Sequence, residues 1–322
     1  MKYVTLGKSD LRVSRIAFGT WQLGGDWGST DRAAAVSAIR RAADSGVTFF
    51  DTAQAYGFGA SERLLGEALR GRSRNDLFIA TKGGLRKTVA GVTRDASADS
   101  IRAGVEDSLR ALSTGYIDLF QVHWPDPRTS FEDTADALAK LIADGKVLHV
   151  GVSNFDVAQM ESFSEFLPVE TLQPPYHLFH REIEQTILPY SHDHNIGVLV
   201  YGPLAHGLLG GNLRLGARFA DGDWRSQSSD FRGATYEHNL TKVNELRAFA
   251  RRELGVTVSQ LAIAWTLANP AVHVAIVGSR NPDHVRETLS AVDLVLDEHT
   301  VSRINDIMRD IVPVAGPSPE RI

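Results

Sequence analysis

The sequence of 322 residues contains no cysteine, and this absence excludes several kinds of chemistry at once. Disulfide bonds, thiolate nucleophiles, cysteine-ligated zinc and iron–sulfur clusters all need the missing residue. The sequence also has no apolar stretch of about 18 residues, the length that a membrane span requires. Its first residues, MKYVTLGKSD, lack the apolar run of a signal peptide. We therefore expect a cytoplasmic protein that has no membrane partner.

The charge and length of the sequence limit the kinds of partner and the number of domains that we expect. The formal net charge is −5 at pH 7, so the chain lacks the excess of Lys and Arg that a nucleic-acid-binding surface requires. Hydrophobic residues make up 43% of the sequence, which is enough for a large core. Barrels of alternating strands and helices reach about 250 residues, and more with insertions, as one unit. We expect a single domain over residues 1–322 and no nucleic-acid partner.

Short apolar segments alternate with longer segments whose apolar residues recur at helical spacing. Such alternation predicts parallel strands joined by helices, and strands that are almost continuously apolar favour closure into a barrel over an open sheet. The predicted fold class is α/β, a (β/α)8 TIM barrel. The eight predicted strands cover residues 16–18, 47–50, 77–80, 117–122, 147–152, 169–172, 198–201 and 272–277. Predicted helices include residues 31–43, 61–69, 98–112, 131–143 and 240–254.

Three segments fall outside this alternation. Residues 3–6 and 11–14 flank a run of turn formers, Gly-Lys-Ser-Asp, and predict an N-terminal β-hairpin. Residues 205–236 show no clear periodicity and form a long loop after the seventh strand; loops of this length are usually functional lids or disordered. Residues 313–322 are rich in proline and predict extended chain that crosses a surface.

Polar residues directly follow several of the predicted strands. Asp51 follows the second strand, with Tyr56 in the next loop. Lys82 follows the third strand and His123 the fourth. Because the carboxyl ends of all barrel strands meet at the face that carries the chemistry, we expect these side chains to share one mouth. Other groups at later strand ends are Ser153, Asn154, Gln173, Tyr201, Gly278, Ser279 and Arg280.

The first four of these residues have complementary chemistry. A tyrosine, with an ordinary pKa of about 10, gives up its proton near neutral pH only if a cation stabilises the phenolate. Lys82 can supply that cation to Tyr56, and Asp51 can keep a buried ammonium group charged. His123 can donate a hydrogen bond to a substrate oxygen. Each residue alone has an ordinary structural explanation, such as a turn cap, but together they predict a catalytic site.

Two pairs of histidines suggest a different function, a metal-dependent hydrolase. His177 and His180 form one pair, and His192 and His194 the other. Residues two apart on a helix point in different directions, and the second pair precedes the seventh strand, at the face of a barrel that serves stability. We therefore expect no metal site.

Six motifs spread over the chain carry a family resemblance. They are AFGTWQLGG at residues 17–25, FFDTAQAYG at 49–57, ATKGG at 80–84, DLFQVHWPDP at 118–127, GVSNF at 151–155 and YGPLAHGLL at 201–209. With this set, the chain resembles the aldo-keto reductase superfamily along nearly its whole length. The pattern and the DGDWR segment of the long loop look most like the branch of general stress reductases and potassium-channel β subunits.

The resemblance implies a barrel that binds NADP(H) across its strand ends and transfers a hydride to an aldehyde or ketone. It places the catalytic tetrad at Asp51, Tyr56, Lys82 and His123, with Tyr56 as the proton donor. It also implies that Ser153, Asn154 and Gln173 hold the nicotinamide carboxamide. The ring would stack on Tyr201, an aromatic platform that suits it.

The other cofactor residues are likewise implied by the resemblance. The pyrophosphate is expected near the backbone of Gly202, Leu204 and Gly207. The 2′-phosphate is expected at Gly278, Ser279 and Arg280, at the start of a helix. Many members carry Lys and Asn where this sequence has Gly278 and Thr288, so we expect Arg280 and His284 to compensate. Further expected cofactor contacts are Gly19, Thr20, Trp21, Asp51, Pro203, His206, Glu287 and Thr288.

Aromatic residues near the mouth predict an apolar wall for a small-molecule carbonyl substrate. They are Trp21, Trp27, Phe58 and Trp124. We expect a monomer. An alternative function is an NADP(H)-binding, redox-sensing regulatory subunit with little turnover, like the channel β subunits, which retain the same tetrad. The sequence starts almost directly at the hairpin, without an extension to contact a channel, and this favours the enzyme.

Overall fold

Eight parallel strands form a closed barrel in the computed structural model, which describes residues 1–89 and 91–321. The described residues form twelve strands, of which eight build the barrel and four form the hairpins β1–β2 and β6–β7. They are β1 (Tyr3–Thr5), β2 (Arg12–Ser14), β3 (Ile16–Gly19), β4 (Phe49–Asp51), β5 (Phe78–Gly83), β6 (Leu85–Thr88), β7 (Gly91–Arg94), β8 (Ile117–Val122), β9 (Val147–Ser153), β10 (Thr171–Gln173), β11 (Gly197–Tyr201) and β12 (Val274–Val277). Around the barrel, the pairing order is β10, β11, β12, β3, β4, β5, β8 and β9. The predicted barrel is confirmed.

Helices follow the barrel strands and cover the outside of the barrel. They are α1 (Arg32–Asp44), α2 (Ala60–Leu69), α3 (Ala98–Leu112), α4 (Phe131–Ala143), α5 (Val157–Ser164), α6 (Ile187–Asp193), α7 (Gly233–Phe249), α8 (Val258–Ala268), α9 (Pro282–Ser290) and α10 (Glu298–Ile307). Side chains cap several of them; Ser97, for example, accepts a hydrogen bond from the Ser100 amide at the start of α3. None of the described helices is both long and apolar enough to cross a membrane.

The hairpin of β1 and β2 closes one end of the barrel. Leu6, Leu11 and Val13 are buried and belong to the same cluster as the side chains that fill the barrel interior, including Phe49 and Leu119. A second and larger cluster lies between the strands and the helices. The strands are therefore buried on both faces, which explains why their sequences are almost continuously apolar.

The boundaries of the predicted barrel strands and helices agree with the structure to within three residues, except near the long loop. The predicted helix over residues 240–254 begins seven residues earlier, as α7 at Gly233, and ends in a π-helical turn at Ala250–Leu254. The loop before it contains short 3₁₀ helices at Ala205–Gly210, Trp224–Ser226 and Ser229–Phe231. These turns are too short for a periodic pattern to reveal them.

A histidine ties the hairpin to the amino-terminal end of the barrel. His149 lies on β9, and its Nδ1 is 2.6 Å from Glu170 Oε2, just before β10. Its Nε2 is 3.0 Å from Asp10 Oδ1, in the turn between β1 and β2. The hydrogen bond with Glu170, with a smaller opposing effect of burial, raises the pKa of His149 above its usual value.

We expect His149→Gln to lower the free energy of unfolding by about 1 kcal/mol at pH 6, since a charged hydrogen bond is lost. A raised folded pKa means that this stabilisation is fully present below the unfolded pKa of about 6.5 and is lost as pH rises through the folded pKa. Urea unfolding at pH 6 and pH 9 measures this difference. His192→Gln, at an exposed histidine of α6, is the control; an equal loss for His149→Gln at both pH values would contradict the assignment.

Candidate active site

A buried ion pair connects two neighbouring barrel strands at their carboxyl ends. Lys82 Nζ on β5 donates to Asp51 Oδ1 on β4 at 2.6 Å, and both side chains are almost fully buried. The same ammonium group donates to the carbonyl of Thr52 at 2.9 Å and lies 3.4 Å from the Tyr56 hydroxyl. The lysine therefore stands between a carboxylate and a phenol.

The surroundings fix the protonation of these groups. Burial, with a further contribution from the negative charge of Asp51, raises the pKa of Tyr56 well above its usual value. Burial lowers the pKa of Lys82, although Asp51 acts in the opposite direction. Tyr56 is thus a neutral phenol, and its hydroxyl is available to donate a proton next to a cation.

His123 follows β8 and faces the tyrosine. The two rings lie edge to face, with their centroids 5.8 Å apart. Burial and the charge of Lys82 lower the pKa of His123 well below its usual value, so the imidazole is neutral. Its Nδ1 is buried and has no hydrogen-bond partner among the described residues. A neutral imidazole retains one N–H with which to donate to an oxygen placed beside the phenol.

Polar side chains from three further strand ends form a network with this cluster. Gln173 Nε2 donates to Asp51 Oδ2 at 2.9 Å, so both carboxylate oxygens are paired. Ser153 Oγ donates to the Gln173 carbonyl at 2.8 Å, and Asn154 Nδ2 donates to Ser153 Oγ at 3.1 Å. The Tyr201 hydroxyl donates to Asn154 Oδ1 at 2.9 Å. The structure therefore brings these predicted residues together.

A cleft of about 460 Å³ opens beside this cluster, between the loops that follow β3, β11 and β12. Its size is within the usual range for sites of small molecules and cofactors. The predicted residues that line it are Gly19, Thr20, Trp21, Trp27, Asp51, Tyr56, Tyr201, Gly202, Pro203, Leu204, His206, Gly207, Gly278, Ser279, Arg280 and His284. Residues that line it without having been predicted are Gln22, Arg225, Ile276, Val277 and Asn281.

The loop after β11 has an unusual backbone where it borders the cleft. Ala205 and His206 adopt positive φ angles of 47° and 54°, and Gly202 and Gly207 do so as well. Such angles in residues other than glycine cost energy and are concentrated at functional sites. Burial lowers the pKa of His206 to about 3, so its ring is neutral.

Arg225 organises the long loop above the cleft. Its guanidinium lies 4.5 Å from the ring centroids of both Trp27 and Phe219. It pairs with Asp223 at 3.0 and 2.6 Å and donates to the His206 carbonyl at 3.0 Å. Trp224, its neighbour in sequence, stacks on Trp21 with ring centroids 6.1 Å apart. We call Trp21, Trp27, Trp224 and Arg225 the aromatic lid.

Some predicted residues lie outside the lining of this cleft. Phe58 lines a different, larger cleft next to α2 and α3. Trp124 packs against the guanidinium of Arg94, 5.0 Å from the ring centroid. Glu287 is exposed on α9, and Thr288 bonds to the His284 carbonyl at 3.0 Å. Their predicted contacts with a substrate or cofactor stay predictions.

The histidines considered as metal ligands lie in two places, the loop after β10 and the region of α6. His177 and His180 lie 5.8 Å apart between ring centroids, near His206, and His192 and His194 belong to the region of α6. In the part of the chain that the structure describes, no group of three or more His, Asp or Glu residues is arranged to hold a metal ion.

We expect Arg225→Lys to loosen the aromatic lid, because an ammonium group cannot pair with Asp223 through two N–H groups or lie flat between two rings. Hydrogen–deuterium exchange of the peptide over residues 211–232 should then increase, while exchange in the barrel strands stays the same. Arg218→Lys, at an exposed arginine of the same loop, is the matched control. Unchanged exchange in Arg225→Lys would contradict the organising role of this guanidinium.

Comparison with protein families gives one match that covers most of the chain. The model of the "Aldo/keto reductase family" matches residues 15–309. Aldo-keto reductase YhdN of Bacillus subtilis is 38% identical over 314 residues, which are 97% of this chain and 95% of that protein. A protein of Arabidopsis thaliana named as a probable voltage-gated potassium channel subunit beta is 34% identical over 92% of each chain.

A solved structure agrees closely with this barrel. The glycerol dehydrogenase AKR11B4 from Gluconobacter oxydans superimposes with a TM-score of 0.88 at 38% sequence identity, covering 98% of both chains. The aligned part therefore includes nearly all of this chain.

Proposed function

This chain belongs to the aldo/keto reductase family, and from that premise we propose that it is an NADP(H)-dependent oxidoreductase that interconverts a carbonyl group and an alcohol. The observation that carries the proposal is the position of Lys82 Nζ, 2.6 Å from Asp51 and 3.4 Å from the Tyr56 hydroxyl in a buried cluster. A cation held next to a phenol can stabilise the phenolate that proton donation leaves.

The four residues have separate roles in this proposal. In the direction of reduction, Tyr56 donates its proton to the carbonyl oxygen, and the Lys82 ammonium stabilises the phenolate that remains. Asp51 keeps the ammonium protonated and in place. The neutral imidazole of His123 donates a hydrogen bond that orients the substrate oxygen. In the direction of oxidation the same groups act in reverse, with Tyr56 as the base.

The residues beside the cluster are suited to hold a nicotinamide cofactor, which when bound would supply or accept the hydride. The cleft runs from Tyr56 to Arg280 and His284, and so joins the phenol to the start of α9. We assign Ser153, Asn154 and Gln173 to the carboxamide and the Tyr201 ring to the nicotinamide face. The backbone of Gly202, Leu204 and Gly207 would take the pyrophosphate, where residues with positive φ leave space for a phosphate.

The preference for NADP(H) rests on the end of the cleft at α9. A Cβ atom at Gly278 would lie 2.6 Å from the Gly19 carbonyl and would overlap the Gln22 side chain. The position where many members carry lysine is therefore closed to side chains in this chain. Arg280 provides the alternative cation, and its Nη1 donates to the Trp27 carbonyl at 2.9 Å. We assign the 2′-phosphate to Arg280 and to the Ser279 and Asn281 region before α9.

A second candidate is an NADP(H)-binding regulatory subunit with little turnover. The identity of 34% with a plant protein named as a probable channel subunit beta supports it. The identity of 38% with a structure named a glycerol dehydrogenase supports an enzyme instead. Steady-state turnover distinguishes the two, because a sensor would oxidise its bound cofactor once and then release it slowly.

We expect Tyr56→Phe to lower turnover of an aldehyde about 10²- to 10⁴-fold, because the general acid is removed while the ring is kept. NADPH binding should change little, because the ring is kept. It can be followed by quenching of tryptophan fluorescence, because Trp21 and Trp27 line the cleft. Tyr190→Phe, on α6, is the matched control. Turnover by Tyr56→Phe at the rate of the unmodified protein would rule out the assigned proton donor.

For cofactor choice, we expect the unmodified protein to bind NADPH more tightly than NADH. Arg280→Ala should weaken NADPH binding about tenfold or more, because a charge-assisted contact with the 2′-phosphate is lost, and should leave NADH binding nearly unchanged. Fluorescence titration measures both constants, and Arg286→Ala, at an exposed arginine of α9, is the control. Equal weakening for both cofactors would assign Arg280 to the lid, through Trp27, and not to the phosphate.

A further inference from the structure

A guanidinium group lies beside the loop that carries His123. Arg94 is the last residue of β7, in a hairpin that extends from the carboxyl end of β5. Its guanidinium carbon is 5.0 Å from the ring centroid of Trp124, the residue that follows His123 in the chain. Its Nη1 donates to the Pro125 carbonyl at 3.1 Å.

The orientation of Arg94 is fixed by the protein. Its guanidinium is held over an aromatic ring, and its own carbonyl accepts a hydrogen bond from Arg128 Nη2. Arg128 in turn contacts the buried carboxylate of Asp126. Asp126 is already occupied, because it accepts hydrogen bonds from the amides of Ala96 and Arg128 and from Thr129 Oγ1. Arg94 is thus left to pair with a carboxylate from elsewhere.

That carboxylate belongs to the segment after α10. Glu320 Oε1 accepts a hydrogen bond from Arg94 Nε at 2.8 Å, and the Glu320 side chain is 45% exposed. Earlier in this segment, the Val314 amide donates to the carbonyl of Phe179, in the loop after β10, at 3.1 Å. Next, Gly316 packs so closely on His206, which lines the cleft, that a Cβ there would lie 3.1 Å from the ring.

This path takes the segment from the wall of the cofactor cleft to the loop after β8. Pro319, the residue before Glu320, is buried, and Ser318 also bonds to the Glu320 carboxylate. The ion pair with Arg94 is nevertheless partly exposed, and exposed pairs are weak. A carboxylate on a bound molecule can therefore take its place. The aromatic ring below the guanidinium and the fixed Pro125 contact would remain to orient it.

We infer that Arg94 over Trp124 is a subsite for the carboxylate of substrates that carry both a carbonyl and a carboxylate group, and that Glu320 occupies this subsite until such a substrate binds. The inference rests on the proposed carbonyl reduction and adds the substrate class. The carboxylate stays unchanged in the reaction; it contributes binding and orientation, while the aldehyde carbon gains a hydride and its oxygen gains a proton.

The test compares aldehydes that differ only in the carboxylate. Initial rates with NADPH are measured for 4-oxobutanoate against butanal and for 6-oxohexanoate against hexanal, since the distance between the two groups varies with chain length. For each pair, the ratio of kcat/KM with the carboxylate to kcat/KM without it is compared among variants. The variants are Arg94→Gln, Arg94→Lys and Glu320→Gln, with Arg102→Gln and Glu106→Gln as controls at other surface ion pairs.

We expect Arg94→Gln to lower this ratio about tenfold in at least one pair, as a charge-assisted hydrogen bond is lost. Glu320→Gln should raise it roughly twofold to fivefold, since an exposed competing pair is removed. The ratio for Arg94→Lys should lie between those of the unmodified protein and Arg94→Gln. The control variants should have the ratio of the unmodified protein. Ratios that stay the same in Arg94→Gln and Glu320→Gln for both pairs overturn the inference.

Binding of butyrate, which has a carboxylate but no carbonyl group to reduce, separates this inference from the proposed function. Isothermal titration calorimetry on the same proteins should show tighter binding in Glu320→Gln and weaker binding in Arg94→Gln. If no aldehyde is reduced but butyrate binding follows this order, the subsite stands and the proposed reduction fails. If both aldehydes of a pair are reduced and butyrate binds equally tightly to the unmodified protein and to Arg94→Gln, the reduction stands and the subsite fails.

Discussion

An ammonium group buried in a barrel remains charged only if an anion lies next to it, and this constraint determines the structure around Lys82. An isolated buried charge costs several kcal/mol, so the pair with Asp51 must form wherever the lysine is buried. The pairing of β4 with β5 places Asp51 opposite Ala80, and Lys82 lies two residues farther along β5, with its side chain turned to the same side. A shift of one residue in this register would point the lysine away from the carboxylate and the phenol.

The same constraint reaches the far side of the barrel. The second oxygen of Asp51 is paired with Gln173 of β10, which is not a neighbour of β4 in the sheet. That contact forms only because the sheet closes on itself. Barrel closure, the charge on the lysine and the neutral state of Tyr56 therefore depend on one another. The residues proposed to hold the carboxamide lie in this network, so that the proposed cofactor site and the proton donor are connected by one set of hydrogen bonds.

The residues at strand ends could be predicted from the sequence because their position follows from the strand pattern alone. Once eight apolar strands are recognised, Asp51, Lys82 and Gln173 must meet at one mouth. The aromatic lid could not be predicted in this way. Arg225 meets Trp27 across almost 200 residues of sequence, and its loop has no periodicity to indicate where it folds. The neighbours Asp223 and Trp224 indicate locally that Arg225 is paired and close to aromatic rings. They do not indicate that Trp27 is the ring it contacts.

The side chains of loop residues were the least predictable part of the site. Trp124 lies in the loop directly after β8 and Phe58 in the loop after β4, yet neither lines the cleft beside Tyr56. A strand fixes the direction of its side chains by alternation, and a loop does not. Gly278 departs from the common family pattern for a steric reason. Gln22 and the Gly19 carbonyl approach this position so closely that they leave no room for a side chain. That cause depends on the distance between two loops, which no pattern in either loop encodes.

Two contacts of different strength cover the two halves of the mouth. On the cofactor side, Arg225 is nearly buried, pairs with a buried Asp223 and lies between aromatic rings. On the other side, Arg94 meets an exposed Glu320 through one hydrogen bond. Desolvated cation–π and bidentate contacts are stronger than exposed ion pairs. The contact beside Trp124 is therefore the weaker of the two, which agrees with a proposed substrate side that is easier to open than the proposed cofactor side.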